Sequence, residues 1–527
     1  MNRRYFLKTG TSGLLVLGAC GIKDSKPEPA TETTVGDDSL SLPAPDLKNQ
    51  YAIELHSDMQ AGHLLRESQS WPKLKPEQSD FVVVGGGIAG LSAAYALRKK
   101  KCMLFELGSD VGGTSGSTEY AGQWLCQGAH YDLAYPSFYG EEALRMLEET
   151  GIIYFDTLKN IWNFRDKQFL IASKQESQTL WNGSLRADLM PEGEEKEAFE
   201  QLMDSFYGQM KMPTRLIDHE LRYLDKLDFK TYLEQTLNKK LSPEFLRALD
   251  YQMIDDYGGL AEQVSALAGI HYYSCRPYYK SEVELFSPPE GNYYFVKKII
   301  AQLPHQMLNN QCLVRKITRK GSGFLVEVLD LIKRQVRQVE AKKIVYAGNK
   351  HAIPYIFKPD QHLFKQLQSV PWAVLNVVLK NDIKKNAFWQ NEILSADTSL
   401  MGFVNSRAQQ ASDGNKQVLT VYFCFKPSER ALMQDWHKPD GIKPLVERAI
   451  VAISDYYKQD VSNQIEKVFV KLMGHAMPLP APNYLFNDQN KQRSHQKLVY
   501  AGVDNSRLPL LFEAVDSGLM AAKLLKG

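Results

Sequence analysis

The chain has 527 residues, of which 44% are hydrophobic and 24% charged, and its formal net charge is +2. This length and composition predict one very large globular domain or two to three ordinary ones, with a core that needs neither disulfides nor a structural metal. Because 63 basic residues nearly balance 61 acidic ones and form no stripe, no nucleic-acid partner is expected.

The N-terminus, residues 1–20, combines features of two export signals. Two arginines stand before an apolar run at residues 13–19, which is too short to span a bilayer and is typical of a signal peptide. The segment NRRYFLK at residues 2–8 resembles a twin-arginine signal, and LGAC at residues 17–20 resembles a bacterial lipobox. The resemblance implies passage through the twin-arginine export machinery and lipidation of Cys20. The alternative is an ordinary secretory signal cut near Ala19.

Lipid chains on Cys20 would hold the mature protein on a membrane surface without a spanning helix. We therefore expect an exported, lipid-anchored protein on the periplasmic side of a bacterial membrane. Gly21 stands where lipoproteins retained in the inner membrane usually have Asp, which favours the outer membrane. Residues 21–50 are rich in Pro, Ser, Thr, Asp and Lys and predict a flexible tether. Residues 51–76 are mixed in composition and are expected to pack on the main body.

Residues 81–106 contain a nucleotide-binding motif together with the elements that it requires. The apolar run at 81–84 predicts a buried strand, and it leads directly into the G-x-G-x-x-G sequence GGGIAG at 85–90. Residues 91–101 predict a helix, and residues 102–105 predict a second strand that ends at Glu106. This order is that of a Rossmann-type dinucleotide-binding unit.

Each position of the motif has a physical reason. Gly85 permits the tight turn, Gly87 lets a pyrophosphate approach the backbone, and Gly90 lets helix and strand pack closely. The helix N-terminus offers free N–H groups and the positive end of its dipole to the phosphates. Glu106 stands where an acid hydrogen-bonds a ribose hydroxyl, and it disfavours a 2′-phosphate. The motif therefore predicts dinucleotide binding; a glycine-rich turn without a ligand is the alternative.

Further segments resemble the FAD-dependent amine oxidase and phytoene desaturase superfamily. They are GGTS at 112–115, GAHY at 128–131, FSPPEGNYY at 286–294, VRKI at 314–317, IVYAGN at 344–349 and LVYAGVDNSRLPLLFEAVDSGLMAAKLL at 498–525. The resemblance covers about residues 80 to 527 and implies bound FAD. A simple NAD-dependent dehydrogenase, the alternative, would lack the closing segment.

The resemblance also implies where the cofactor lies. The paired glycines run along the pyrophosphate, GAHY passes near the flavin ring, and the strand at 314–317 meets the adenine. Asp504 faces the pyrophosphate or the ribityl chain, and a helix at 513–525 points its N-terminus toward the flavin. The implied cofactor-binding residues are Gly85, Gly87, Ile88, Ala89, Gly90, Glu106, Gly112, Gly113, Thr114, Gly128, Ala129, His130, Val314, Gly502, Asp504 and Val515.

The expected fold is α/β, with a discontinuous Rossmann-type FAD-binding domain around a parallel sheet. By resemblance this domain takes residues 80–150, 280–360 and 490–527, and the inserts at 151–279 and 361–489 form an α+β substrate domain. The first insert has helical periodicity and the second has strand-like runs. Since ligands favour domain interfaces, the substrate is expected between the flavin and the inserts.

The expected reaction site departs from the family pattern. The family places a lysine near the flavin on a strand before a Phe-Trp pair; here the pair is Phe388-Trp389 and the lysine position aligns with Asn376. That lysine is associated with flavin reoxidation by oxygen, so its absence favours a dehydrogenase that passes electrons to a partner. The family's arginine after the paired glycines is replaced by Thr114, and an aromatic residue before the closing motif by Leu510 or its neighbours.

We name His475, Asn376 and Asp256 as the candidate catalytic residues. His475 lies where the family places an aromatic segment over the flavin; it can serve as base, acid or hydrogen-bond partner, or be a packed turn histidine. Asp256 and its neighbour Asp255 can bind a cationic amine or tune one another's protonation, or simply end a helix. The run at 271–273, His-Tyr-Tyr, predicts a buried aromatic wall or a flavin-facing pocket.

The six cysteines indicate no metal or redox motif. None forms a C-x-x-C pair, so neither a zinc site nor thioredoxin-like chemistry is expected. Those after Cys20 stand in apolar or strand-like surroundings and predict buried free thiols.

The leading hypothesis is an exported, membrane-tethered FAD oxidoreductase of the amine oxidase type. It would oxidise a small-molecule substrate, expected to be an amine, by hydride transfer to flavin, with oxygen or an electron-acceptor partner as oxidant. The first alternative keeps the fold and changes the substrate to a lipid or isoprenoid, as in a desaturase or dehydrogenase. The second is a non-catalytic FAD-binding surface protein.

Overall fold

The structure is a computed structural model that describes residues 51–130, 139–171, 177–275, 285–365, 367–383, 388–409, 415–487 and 496–526. The predicted signal at 1–20 with Cys20, the tether at 21–50 and Tyr131 lie outside the described residues. Among those described, no helix is long and apolar enough to cross a membrane.

The described residues form strands and helices in a mixed order. The strands are β1 (Ala52–His56), β2 (Glu77–Val84), β3 (Cys102–Phe105), β4 (Ser117–Tyr120), β5 (Gln123–Cys126), β6 (Ile153–Asp156), β7 (Ile161–Phe164), β8 (Leu170–Ile171), β9 (Ser177–Trp181), β10 (Ser184–Arg186), β11 (Leu285–Phe286), β12 (Leu308–Asn309), β13 (Cys312–Lys320), β14 (Gly323–Asp330), β15 (Gln335–Tyr346), β16 (Ser369–Leu379), β17 (Gln390–Leu394), β18 (Leu400–Asn405), β19 (Val418–Cys424), β20 (Ile465–Pro478) and β21 (Leu498–Tyr500). The helices are α1 (Met59–His63), α2 (Ile88–Leu97), α3 (Glu141–Glu149), α4 (Glu194–Ser205), α5 (Phe229–Thr236), α6 (Pro243–Tyr257), α7 (Ala266–Ser274), α8 (Tyr293–Ile300), α9 (Ile353–Ile356), α10 (Leu432–Asp435), α11 (Lys443–Tyr457) and α12 (Leu511–Lys526).

The first large sheet has parallel strands at its centre. Its order is β12-β3-β2-β15-β14-β13, and β21 pairs with β15. The pairs β12–β3, β3–β2, β2–β15 and β15–β21 are parallel, whereas β13 and β14 form an antiparallel extension. The second half of β2, residues 81–84, and the whole of β3 are apolar because both faces of a parallel sheet are covered. We call this sheet the parallel sheet.

The second large sheet has eight strands in the order β1-β20-β16-β19-β18-β17-β9-β10. Alternate residues of β16 lie on opposite faces of this sheet. Ala373, Leu375 and Val377 join the apolar cluster under α11, whereas Trp372 and Val374 face the other way, toward a cavity. We call this sheet the substrate sheet, after the substrate domain that the sequence predicts for most of its strands. Its edge strand β1 comes from a part of the chain to which the sequence motifs assign no domain.

Three predicted elements differ from the observed ones. The helix predicted at 91–101 runs from Ile88 to Leu97, because Gly87 is extended with a ψ of 175° and the helix starts directly after it. Beyond Leu97 the Lys100 N–H closes a turn on the Leu97 carbonyl, so the lysines turn out toward β3 instead of extending the helix. The first insert begins with strands β6 to β10 before its helices: β6 pairs with β7 and β9 with β10 as local hairpins, whereas β8 pairs with β11 and β9 also pairs with β17. The closing helix spans Leu511–Lys526, slightly more than the predicted 513–525.

All five described cysteines are buried and free, as their surroundings predict. No group of three or more His, Cys, Asp or Glu residues in the described ranges could hold a metal ion.

Candidate cofactor cavity and active site

A cavity of about 630 Å³ lies between the two large sheets. The last residues of β2, β3 and β15 form one wall, so the cavity opens at the carboxyl ends of the parallel strands. The substrate sheet forms the facing wall through β16, β18, β19 and β20. Open α/β sheets bind ligands at this edge, and the volume is within the range of ligand pockets.

The glycine loop brings bare backbone to the cavity. Gly85 has a φ of 95°, and a Cβ there would lie 2.8 Å from the Gly348 nitrogen. A Cβ on Gly90 would lie 1.8 Å from the Gly85 carbonyl oxygen, so only glycine lets α2 start so close to β2. Gly87 differs, because a Cβ there would meet nothing nearer than the Gly112 oxygen at 4.0 Å. The space beside Gly87, at the start of α2, is therefore the place that a ligand can approach.

Glu106 is held at the end of β3 by two backbone donors. Gly86 N–H donates to its Oε2 at 2.5 Å and Gly108 N–H to its Oε1 at 2.8 Å. Burial raises the pKa of this carboxyl, while the two backbone hydrogen bonds act in the opposite direction. The carboxylate lines the cavity in a fixed orientation, which suits an acceptor for ribose hydroxyls.

The second glycine segment lies against the first. Gly112 N–H donates to the Gly86 carbonyl at 2.8 Å, and Gly112 has a φ of 127°. A Cβ on Gly128 would lie 1.7 Å from the Thr114 carbonyl oxygen, so the two stretches that line the cavity here can meet only through glycine. The paired-glycine and GAHY segments thus form one continuous backbone floor.

The closing motif carries an ion pair that the sequence reasoning missed. Lys350 is almost completely buried, and its Nζ donates to Asp504 Oδ1 at 2.7 Å and to the Ala501 carbonyl at 2.6 Å. The Lys350 N–H donates to the other carboxylate oxygen at 2.9 Å. Asp504 lines the cavity with its charge compensated, which removes its repulsion toward a pyrophosphate. The only sequence signal was a lysine directly after Asn349, the residue that ends IVYAGN.

His130 is held between two neighbours. Its Nε2 lies 3.2 Å from the Pro289 carbonyl oxygen and its Nδ1 lies 2.6 Å from the Tyr422 hydroxyl oxygen. The Tyr422 hydroxyl in turn donates to the Gly128 carbonyl at 2.9 Å. Burial lowers the pKa of His130 to about 4. The pair joins the GAHY segment to the substrate sheet across the cavity.

Two carboxylates and an aromatic wall define one end of the cavity. Asp255 and Asp256 lie in the last turn of α6, and both line the cavity. Gln390 Nε2 donates to Asp255 Oδ2 at 3.4 Å. The charge of Asp255 contributes, after burial, to the raised pKa values of Tyr422 and Cys424. The aromatic residues of the cavity lining include Tyr272, Trp372, Trp389 and Tyr422. We call this region the acidic end.

A stacked histidine pair lies in another part of the cavity lining. The rings of His351 and His475 are parallel within 19°, with centroids 3.7 Å apart. Ser369 Oγ lies 2.7 Å from His475 Nδ1. Burial lowers the pKa of His475 to about 3 and that of His351 to about 4, so both are neutral at pH 7. His475 therefore lines the cavity as a neutral hydrogen-bonding group.

The cavity collects most of the residues that the sequence singled out. These are Gly85, Gly87, Ile88, Ala89, Glu106, Gly113, Thr114, Gly128, Ala129, His130, Val314, Gly502, Asp504, Asp256 and His475. Gly90, Gly112 and Val515 do not line it. Gly90 and Gly112 shape the glycine loops from behind, and Val515 is buried in α12 while Ala514 beside it faces the cavity.

Asn376 requires a correction, because the structure does not bring it to the cavity. It is fully buried; its Nδ2 donates to the Cys126 carbonyl at 2.8 Å and its Oδ1 accepts from Thr420 Oγ1 at 2.9 Å. On the same face of β16 the cavity-lining residues are Trp372 and Val374, and Asn376 lies one step beyond, under Cys126. The residue is a structural tie between β16, β19 and β5, and a catalytic role has no geometric support.

The residues present fit a flavin dinucleotide. The glycine loop is open beside Gly87, Glu106 is aimed at the cavity, and the charge of Asp504 is compensated. Asn292 lines the cavity, and its Oδ1 is buried with no hydrogen-bond partner among the described residues. An unsatisfied acceptor of this kind is costly unless a ligand donor reaches it.

Comparison with known proteins identifies the fold. A family model described as an NAD(P)-binding Rossmann-like domain matches residues 83–150. No curated protein sequence matches the chain.

Solved structures with this fold include oxidases of several substrates. Putrescine oxidase, solved with bound putrescine, has a TM-score of 0.59 at 15% identity, over 86% of this chain and 99% of its own. Cyclohexylamine oxidase from Brevibacterium oxydans IH-35A has a TM-score of 0.60 at 14% identity, over 85% and 99%. A candidate protoporphyrinogen oxidase from Exiguobacterium sp. 255-15 has a TM-score of 0.59 at 13% identity, over 86% and 100%. The predicted α/β fold with a Rossmann-type domain is confirmed, and these oxidases share it.

Proposed function

We propose that this chain is an FAD-dependent oxidoreductase that oxidises a small amine. The observation that carries the proposal is the meeting, in one cavity, of the open glycine loop and the acidic end with Asp255 and Asp256. The first feature suits a dinucleotide and the second suits a cationic substrate. The fold shared with putrescine and cyclohexylamine oxidases supports the same reading.

In this proposal FAD, held along Gly87, Glu106, Gly113 and Asp504, supplies the hydride acceptor. The chain's own residues bind and prepare the amine. A carboxylate of the acidic end pairs with the ammonium group and accepts its proton, because an amine nitrogen must carry a lone pair before the adjacent C–H can leave as hydride. The aromatic walls exclude water and position the carbon. His130, neutral and fixed by Tyr422, keeps the cavity floor in place.

The absence of a lysine on the cavity face of β16, where Trp372 and Val374 lie, favours an electron acceptor other than oxygen.

We also propose that the protein acts outside the cytoplasm, anchored by lipid on Cys20. The N-terminal segment resembles a twin-arginine signal, and that export route is expected to carry a folded, cofactor-loaded protein. A lipid or isoprenoid substrate remains the alternative for the same cavity, and a non-catalytic flavoprotein is the third.

The test is anaerobic reduction of bound flavin by a panel of amines and a panel of lipids, followed by flavin absorbance. We expect at least one amine to bleach the flavin bands. In Asp256→Asn, half-maximal reduction should need about 10- to 100-fold more amine, since a charge-assisted contact is worth about 1.5–3 kcal/mol.

The matched control is Glu244→Gln, which removes the same charge from an exposed position on the same helix α6. It should leave the amine dependence unchanged. Reduction by a lipid alone would support the alternative substrate class. Flavin that no substrate or redox partner reduces would support the non-catalytic reading.

A further inference from the structure

Residues 51–66, which precede the glycine motif, form a strap that joins the two large sheets; we call it the N-terminal strap. At its start β1 pairs in parallel with β20, with Ala52 opposite Lys467 and His56 opposite Lys471. At its end Leu64 and Leu65 pack on an apolar cluster of the parallel sheet. The strap therefore crosses the cavity from the substrate sheet to the parallel sheet.

The chain beyond the strap is also fastened to the parallel sheet. Arg315 on β13 donates to the Glu67 carbonyl at 3.1 Å and to the Gln69 carbonyl at 3.2 Å. Leu74 N–H donates to the Val336 carbonyl at 2.9 Å. Attachment at both ends holds the strap in a defined position over the cavity.

The strap supplies cavity wall beside the ribose acceptor. Asp58, Met59 and Gly62 line the cavity, and Lys471 Nζ donates to Asp58 Oδ2 at 3.0 Å. Gly62 faces Leu107, because a Cβ built on it would lie 3.7 Å from Leu107 Cδ2. Leu107 follows Glu106, so the strap covers the part of the cavity where the resemblance places the adenosine.

The last turn of the strap adds polar donors to the same cavity. His63 and Arg66 line it together with the stacked pair His351 and His475. The charge of Arg66 contributes to the lowered pKa values of both stacked histidines. Arginine and histidine N–H groups are suited to phosphate oxygens.

We propose that residues 57–66 are part of the dinucleotide site: they cover the adenosine half of FAD, and Arg66 supplies a donor to its phosphates. The inference rests on the proposed cofactor. In this proposal the strap is a further wall of the cavity and must be in place for the cofactor to be retained, although the strap lies outside the Rossmann motif.

The main test fills the space that Gly62 leaves. Gly62→Trp puts a large ring into the cavity from the strap, and the content of FAD in the purified full-length protein should fall at least about tenfold. The dissociation constant for added FAD, from quenching of flavin fluorescence, should rise accordingly. Gly62→Ala should leave the FAD content and the FAD dissociation constant unchanged, since its Cβ would make an ordinary van der Waals contact with Leu107.

The matched control is Gln60→Trp, which adds the same ring to an exposed position of α1 that does not line the cavity. It should bind FAD as the unchanged protein does. Circular dichroism of the flavin-free proteins verifies that they are folded. FAD bound with unchanged affinity by Gly62→Trp would overturn the proposal, whereas an unchanged protein that binds no FAD would overturn the proposed function itself.

Arg66→Gln tests the phosphate contact without adding bulk, which keeps the proposal testable if Gly62→Trp does not fold. The FAD dissociation constant should rise about 5- to 20-fold, and its dependence on salt should weaken. The binding of riboflavin, which has no phosphate, should not change. An equal loss for both ligands, or for neither, would contradict the assignment of Arg66 to the phosphates.

Discussion

At the residue scale, the cavity depends on buried polar groups that are held by partners from distant segments. His130 is neutral because burial lowers its pKa to about 4, and its two ring nitrogens lie within hydrogen-bond distance of the Tyr422 hydroxyl and the Pro289 carbonyl. Lys350 and Asp504 compensate each other in the buried floor of the site. These pairs are invisible in a motif, since each partner comes from a distant part of the chain.

The neutral state of His130 predicts a pH effect on stability. Its pKa falls from 6.5 to about 4 on folding, so between these values the unfolded chain binds a proton that the folded protein refuses. The free energy of unfolding therefore decreases as pH falls from about 6.5 toward 4. His351 and His475 act in the same direction.

His130→Gln removes the contribution of His130 to this pH dependence. The loss of a buried hydrogen bond should lower the free energy of unfolding by about 1 kcal/mol at pH 7. Melting temperatures of the protein and the variant, measured from pH 8 to pH 4, should converge toward the acid end. Parallel curves would contradict the neutral assignment.

At the element scale, α2 and α12 both begin at the cavity and pack on each other through glycine. A Cβ on Gly518 of α12 would lie 2.1 Å from the Ala89 carbonyl oxygen of α2. Leu511 and Ala514, in the first turns of α12, line the cavity along with Ile88 and Ala89. The close crossing therefore sets where both helix N-termini point, and with them the direction of two dipoles.

Gly518→Ala should force these helices apart. We expect a loss of about 1–3 kcal/mol in the free energy of unfolding, the usual cost of overpacking, along with weaker FAD retention. Denaturant unfolding and flavin content measure the two effects. Gly474→Ala serves as the control for stability alone, because the nearest atom to its Cβ is 3.9 Å away but the residue lines the cavity. Equal stability of both variants would show that the helices separate without cost.

At the scale of the whole molecule, the cavity exists only because two sheets face each other, and the N-terminal strap connects them. The strap begins at residue 51, directly after the expected tether from Cys20. Cofactor retention and membrane attachment would then depend on neighbouring stretches of one chain. The proposed export together with bound FAD would require the folded state, because a chain that crosses unfolded has no cavity in which to hold FAD.

Location can be tested with two substitutions in the signal. Changing Arg3 and Arg4 to Lys should leave the protein, with its flavin, in the cytoplasm, because the twin-arginine address is lost. Cys20→Ser should move most of the exported protein from the membrane fraction to the soluble periplasm. Cell fractionation with flavin fluorescence as readout distinguishes the two. Membrane attachment that survives Cys20→Ser would contradict the lipid anchor.

The cofactor frame could be predicted because its information is local. Gly85, Gly87, Gly90 and Glu106 stand in one short stretch in which strand, turn and helix each impose their own residue type, and the structure has these elements in that order. The acidic pair at the end of α6 was also visible as a pattern, although only the fold shows that it reaches the cavity.

What the tertiary structure decided concerns contacts between segments far apart in the chain. Asn376 seemed by alignment to be at the reaction site, but the twist and register of β16 place it under Cys126 and leave Val374 at the cavity. The Lys350–Asp504 pair and the N-terminal strap depend on pairings over more than a hundred residues, which no local pattern records. The sequence by itself determined the kind of cofactor site, through local backbone geometry; the fold decided which side chains face it, because burial and register are properties of the assembled sheets.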